Sequence, residues 1–390
     1  MVMLSATIDS PERFAKWAER DDPTKEVYLA STHKRVVPLT HYGYLTNTES
    51  SIKLLKDKAL EKDVRNNIHK LIKIQDEHGK FNNDGYKSLA RLTKMFNQKS
   101  MYVKRKHVLN NLSSFLHENN MLPAIAFVFS RKMVEQCASE ITVPLLEDDS
   151  KIPYNVANEC EQIVRKLPNF KEYLELPEYN TLVKLLEKGI GIHHSGMIPI
   201  LREIVEIMIS KNYIKLLFAT ESFAIGLDCP IKTAIFSSVT KFDGRSHRTL
   251  LSHEYTQMAG RAGRRGIDKV GHVVHCNNLF DLPLQNDYEL MLNGNPQSLI
   301  SKFRISYGLV FNLIKNGKFT IDEFSDFIHH SMISSELRDE IKHQNNVIQE
   351  ITNKQQSFDE NTSSLKTIPI VCKRYNEICN TIQNSKNKQR

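Results

Sequence analysis

The stretch Ala124-Ile-Ala-Phe-Val-Phe129 constrains the fold of this chain most. An apolar run this short, with no polar face, suits a parallel strand covered on both sides better than a surface strand or a full helix. Val134, Cys137, Ala138 and Ile141 follow at helical spacing, so the run is expected to feed a helix that packs back on its own sheet. Lys215–Thr220 and Val270–Cys276 repeat the strand pattern later in the chain. Strands alternating with helices predict a doubly wound α/β sheet. In such sheets ligands gather at the carboxyl ends of the strands. Ser130 and Arg131 after the first run, and Thr220 after the second, fall at those ends.

A chain of 390 residues has room for about two domains and a sizeable core. Lys and Arg number 53 against 45 Asp and Glu, a formal charge of +8 that favours anionic partners without choosing one. The six cysteines contain no Cys-x-x-Cys pair, so no metal site is expected and the thiols read as reduced, in an intracellular protein. No apolar run approaches a membrane span, and the N-terminus shows no secretory signal.

A second feature concerns chemistry. In Gln257-Met-Ala-Gly-Arg-Ala-Gly-Arg-Arg-Gly266, residues Gln257, Arg261 and Arg264 stand at i, i+4 and i+7. As a helix this would put one amide and two guanidinium groups on one face. Gly260 and Gly263 would each cost such a helix roughly 1 kcal/mol, which implies a reason for close approach by backbone or ligand. Paired guanidinium forks suit phosphate oxygens.

Upstream, Gly189-Ile-Gly-Ile-His-His-Ser-Gly-Met-Ile-Pro199 reads as a short strand, a turn at His193–Gly196, and a helix opened by Pro199. The free N–H groups of a helix start suit a phosphate. After Thr220, Gly226 permits a tight turn and Asp228 offers a hydrogen-bond acceptor. Residues 47–118 are rich in Lys, Arg and Asn. Ile52, Leu55 and Ala59, then Leu109, Leu112 and Leu116, predict inserted helices, with a loop from Gly79 to Gly85. Asp76-Glu77-His78 is read as following a helical pattern. From Pro296 the pattern turns helical: a helix is expected over 297–314, carrying Leu299, Phe303, Tyr307, Val310 and Leu313, and two more near 336–356 and 365–385.

These stretches, in this order, resemble the motifs of superfamily 2 DExH-box RNA helicases, in the superkiller-type branch of exosome cofactors. The resemblance covers roughly residues 1–330. It begins at Met1-Val-Met-Leu-Ser-Ala-Thr7, read as a buried strand end running into the family's SAT motif, and continues through Phe14–Trp17, Thr32–Leu39, Phe129–Glu135, His193–Gly196, Thr220–Pro230 and Lys241–Gly244. It ends in QMAGRAGRRG and an opening winged-helix segment. The residue after Arg264 is Arg265, where DNA-repair relatives usually carry proline.

The resemblance implies a RecA-like second motor domain, ATP with Mg2+ as cofactors, and 3′-to-5′ unwinding of RNA coupled to hydrolysis. It assigns catalysis to Gln257, Arg261 and Arg264, and the nucleotide side to Gly226, Asp228, Gly260 and Gly263. It assigns the RNA backbone to Ser130, Arg131, His194, Ser195, Gly196 and Thr220, and coupling between motor domains to Ser5, Ala6 and Thr7. Asp228 stands where many relatives carry asparagine; either accepts a ribose hydrogen bond. The implied organisation is the end of a first motor domain at 1–24, a second motor domain at 25–283 with the insertion at 47–118, the start of a winged helix at 284–332, and a helical stalk like the root of an arch at 333–390. The phosphate loop and the acidic magnesium motif of the first motor domain do not occur in these residues. The chain alone is therefore expected to be inactive until a first RecA-like domain joins it, in cis or in trans. Exosome-like or adaptor proteins are implied partners. Two alternatives stay open: a non-catalytic nucleic-acid-binding module, and a DNA helicase of the same superfamily.

Overall fold

The structure is a computed structural model; it describes residues 2–3, 8–19, 26–32, 35–146, 151–224, 229, 231–294, 297–299, 301–317, 320–363 and 369–388. The side chains of 297, 298, 362, 363, 369 and 382–388 lie outside that description. The chain divides into two compact units, Met1–Asp9 with Ser31–Gln297, and Ser10–Ala30 with Ser298–Arg390.

The first unit is built on a seven-stranded sheet. Its strands are β1 (Leu39–Tyr44), β2 (Leu71–Gln75), β3 (Ala124–Phe127), β4 (Ile190–His193), β5 (Leu216–Ala219), β6 (Thr233–Phe236) and, after a small hairpin of β7 (Thr240–Phe242) and β8 (His247–Thr249), β9 (Gly271–Cys276). The order across the sheet is β2-β1-β9-β6-β3-β5-β4, parallel throughout except for β2. Every residue of β3, β4, β5 and β6 is buried, as unbroken apolar strands covered on both faces require. Phe127 and Phe236 pack from neighbouring strands, their rings tilted by 39° with centroids 5.6 Å apart. This is the α/β doubly wound fold expected from the sequence.

The insertion differs from its expected all-helical form. Leu71–Gln75 is a strand that extends the sheet antiparallel to β1, so Asp76-Glu77-His78 follows a strand and not a helix. Leu-Ile-Lys-Ile-Gln is short and mixed, and only its pairing with β1 makes it a strand. Asp76 closes the turn, accepting from the N–H groups of His78 (3.0 Å) and Lys80 (2.8 Å). The run Ile52–Ala59 is broken into helices Glu49–Lys53 and Lys58–Asn67, with Lys56 at φ 53° between them. Gly85 belongs to helix Asn83–Gln98, which buries Gly85, Leu89, Leu92 and Phe96 along one face. The helix Arg105–Glu118 forms as expected and buries Leu109, Leu112 and Leu116. Val2 and Met3 stand exposed outside any strand, so the buried strand expected there is absent among the described residues. Ser5, Ala6 and Thr7 lie outside the described residues.

A fully buried polar chain crosses this core. His41 Nδ1 pairs with Tyr255 Oη at 2.6 Å, Tyr255 Oη with His275 Nε2 at 2.9 Å, and His275 Nδ1 with Tyr288 Oη. Burial, reinforced by Arg35, pushes His41 down to about 3, and burial also holds His275 well below its ordinary value.

In the second unit, helices form at Pro11–Glu19, Tyr307–Lys315, Ile321–His329, Met332–Ser363 and Pro369–Lys388. Trp17 Nε1 donates to His330 O at 3.1 Å, and Lys16 meets Asp339 at 2.9 Å. The helix expected over 297–314 starts only at Tyr307. Lys302–Ser306 alternates polar and apolar residues, an extended pattern, and Ser306 then caps the helix by accepting from Leu309 N at 3.3 Å. The two distal helices are both present; the first is longer than expected, and the second lies a few residues further along the chain.

Candidate functional site

Strands β3, β5 and β4 are neighbours, and their carboxyl ends bring three of the expected segments together. Thr220 N donates to His193 O at 3.2 Å, stitching the end of β5 to the end of β4. Ser130 precedes helix Arg131–Glu140. The Arg131 side chain lies against Gly196, where a Cβ would sit 3.2 Å from Arg131 Cδ and 3.4 Å from Nη1. Ser130, Arg131, Ser195 and Gly196 are exposed, and among the described residues no carboxylate pairs with Arg131. The histidines are internal struts. His194 Nδ1 accepts from Gly196 N at 3.2 Å, so the proton sits on Nε2, which donates to Glu135 Oε1 at 3.2 Å. His193 meets Glu206 at 3.1 Å; burial lowers its pKa more than that carboxylate raises it. The Thr220 hydroxyl shares a hydrogen bond with Ser222 Oγ at 2.9 Å. It keeps a lone pair for a further donor.

The arginine segment is not one helix. Helix Ser252–Ala259 stops at Gly260, and Gly263 (φ 89°) and Gly266 (φ 76°) turn the chain into a loop. Gln257, Arg261 and Arg264 therefore do not share a helical face. Gly263 N donates to Ile231 O (3.0 Å), just before β6, and Gly271 N donates to Pro38 O (2.8 Å), just before β1. The loop thus runs along the amino ends of these strands. Gln257 is exposed on the last helical turn.

Arg261 Nε donates to Ala224 O at 2.9 Å. Ala224 ends the short turn Glu221–Ala224 that starts next to Thr220. Arg264 is paired: Nε donates to Asp268 Oδ2 (2.8 Å) and Nη2 to Oδ1 (2.9 Å), while Arg264 N also donates to Oδ2 (2.9 Å). Arg264 holds the Asp268 carboxyl below its ordinary range, and Asp268 raises Arg264 in return. Gly226 and Asp228 lie outside the described residues.

Four side chains to which sequence reasoning gave no role contribute here: Arg35, Asp268, Lys241 and Arg248. Arg35 Nε donates to Val37 O (2.6 Å), and its Nη2 donates to Gly260 O (2.5 Å) and Ala262 O (2.7 Å). A Cβ on Gly260 would come 3.2 Å from Arg35 Nη1, and one on Gly263 would come 2.5 Å from Val37 Cγ1. The close approach at Gly263 is made by the chain's own Val37, while at Gly260 the Thr256 carbonyl oxygen is nearest (2.7 Å) and Arg35 comes next. Asp268 was visible only as an acid four residues after Arg264. Lys241 on β7 bridges Glu221 and Glu254 at 2.8 Å each, and Arg248 on β8 grips Glu254 with both Nη atoms at 2.9 Å. These cations and the Leu251 N–H outweigh burial and hold Glu254 down to about 2.

No known family profile matches the chain. It is 31% identical over 347 residues to superkiller complex protein 2 of Homo sapiens, covering 84% of this chain and 26% of that protein. It is 30% identical over 388 residues to antiviral helicase SKI2 of Saccharomyces cerevisiae, covering 90% and 30%. It is 33% identical over 328 residues to ATP-dependent RNA helicase mtr4 of Schizosaccharomyces pombe, covering 80% and 27%. Over most of its length the chain is similar to superkiller-type DExH-box RNA helicases. It spans about a third or less of the length of these relatives. Within this chain, the sheet's carboxyl edge and the arginine loop meet through one turn, Glu221–Ala224.

Proposed function

We propose that this chain contributes the second motor domain of an ATP-dependent RNA helicase that unwinds RNA in the 3′-to-5′ direction, in RNA processing or decay inside the cell. The observation that carries the reading is the bond from Arg261 to Ala224 O, because it ties the arginine loop to the turn that begins beside Thr220. In this reading Ser130, Arg131, His194, Ser195, Gly196 and Thr220 grip a single strand by its phosphates, which gives sequence-independent, salt-sensitive binding. His194 acts by holding the Gly196 turn, and Arg131 supplies the charge.

Arg261 and Arg264 face the nucleotide, with Gln257 orienting the attacking water. ATP with Mg2+ supplies the phosphoryl group that is transferred to that water. The fit rests on Arg264: its fork already holds two carboxylate oxygens in parallel, the geometry in which a guanidinium takes two phosphate oxygens. Gly260 and Gly263 serve through the turn they allow, while Gly226 and Asp228 line the ribose side. A first RecA-like domain, in cis or in trans, holds the magnesium and the phosphate loop, and Ser5, Ala6 and Thr7 couple the two domains. The proposed domain organisation is the one the resemblance implies, with a winged-helix start at 284–332 and an arch-like stalk at 333–390. Exosome-type or adaptor proteins are the partner class.

The test is RNA-stimulated ATPase. The chain alone gives no turnover, and joining it to a first motor domain restores turnover. In the joined protein Arg264→Ala lowers kcat by roughly 10³-fold or more and leaves the RNA Kd within about threefold, since phosphate grip resides elsewhere. Unchanged turnover would remove the finger role and leave a nucleic-acid-binding module.

A further inference from the structure

We infer that Arg35 is a positioning residue for the arginine loop, setting where Arg261 and Arg264 stand when they meet the nucleotide. The inference rests on the motor reading above and deepens it.

Helix Ser252–Ala259 closes with turn bonds from Gly260 N to Thr256 O, Arg261 N to Met258 O and Ala262 N to Ala259 O, and the next carbonyls, Gly260 O and Ala262 O, lie beyond its last turn. Arg35 reaches those two from 225 and 227 residues away in sequence. Its Nη2 spans Gly260 O and Ala262 O, the two carbonyls that flank Arg261, and its Nε fastens to Val37 O. A cation at a helix carboxyl end also meets the negative pole of the helix dipole. The grip therefore fixes the backbone on both sides of Arg261. Val37, two residues on, packs against the Cα of Gly263 and so fixes the next step of the loop toward Arg264. Gly263 could not carry a side chain there without displacing Val37, and its φ of 89° disfavours one as well. Segment 35–37 thus acts as a mould for residues 260–263.

The mould depends on a planar fork. Three carbonyls around one side chain need donors at fixed angles, which a guanidinium provides and a lysine ammonium does not. Arg35 has no carboxylate partner among the described residues, so its charge is satisfied by this loop. A transition state is sensitive to displacements of about 1 Å in the groups that stabilise it. Loosening the carbonyls beside Arg261 is therefore read in catalysis before it is read in binding.

The experiment uses the chain joined to its first motor domain and compares Arg35→Lys, Arg35→Ala and Arg264→Ala. Steady-state ATPase with saturating RNA, RNA anisotropy and thermal unfolding are measured on each. Arg35→Lys keeps the charge and is expected to lower kcat about tenfold or more, with the KM for ATP, the RNA Kd and Tm close to the parent. Arg35→Ala is expected to go further in the same direction. A purely structural role would move Tm and RNA binding together with kcat, and that outcome overturns the inference. Parent-like kcat in Arg35→Lys, while Arg264→Ala abolishes turnover, overturns it also. If Arg264→Ala is itself without effect, the motor reading has failed, and Arg35 fails with it for that separate reason.

Discussion

A histidine sealed among tyrosines has to stay neutral. His41 sits at about 3 because protonating it would place a charge in the core, beside Arg35. In the unfolded chain the same ring takes a proton near its ordinary value of 6.5. Between those values the unfolded state binds more protons, so the folded state has its full stability above pH 6.5 and loses it as pH falls. The limiting slope is about 1.4 kcal/mol per pH unit for each such ring, and His275 acts with the same sign. Urea midpoints between pH 7.5 and 5 should fall accordingly, and His41→Gln should flatten the curve; an unchanged slope in that variant would mean another group titrates. Neither this chain nor the Arg35 grip was legible beforehand, because their partners are far apart in sequence. Arg264 with Asp268 was legible in spacing, but nothing in a pattern of four distinguishes an ion pair from two solvated charges.

At the scale of elements, glycine shows how packing overrides propensity. Gly85 and Gly308 both lie inside helices, where alanine is favoured by about 1 kcal/mol. A Cβ on Gly85 would collide with the Lys73 carbonyl of β2, a backbone atom with no rotamer to yield. A Cβ on Gly308 meets nothing closer than Ser306 Oγ at 4.0 Å. Gly85→Ala should therefore lose about 1–3 kcal/mol by overpacking, while Gly308→Ala should gain up to about 1 kcal/mol. Urea unfolding reads the first, and slower amide exchange over 307–315 reads the second. Equal signs would show that propensity alone governs both. The same competition explains the misread elements. The arginine segment has helical spacing, yet its Gly260 and Ala262 carbonyls accept from Arg35 and its Gly263 N–H donates to Ile231 O, so the helix ends at Ala259. Strand β2 has no pattern of its own and exists because β1 presents an edge. The runs at β3 and β5 were legible because burial on both faces leaves its mark on every residue.

At the scale of the whole molecule, the two units hold their backbone hydrogen bonds under different conditions. Strands β3, β5 and β6 lie inside the sheet, with every side chain buried. Opening them requires the first unit to unfold. Helix Met332–Ser363 is different, since every residue from 337 to 361 is exposed, including Leu337, Ile341, Ile348, Ile351 and Phe358. With its side chains exposed over 337–361, its amides open by local fraying, because a helix with little burial is marginal in water. Hydrogen exchange followed by mass spectrometry should show peptides over 124–127, 216–219 and 233–236 retaining protons for hours. Peptides within 337–361 should exchange within minutes. Equal protection of 337–361 would mean that its apolar side chains are covered in solution. Repeating the measurement on dilution would then separate the two sources of cover: protection that fades comes from a second molecule, and protection that persists comes from the chain itself.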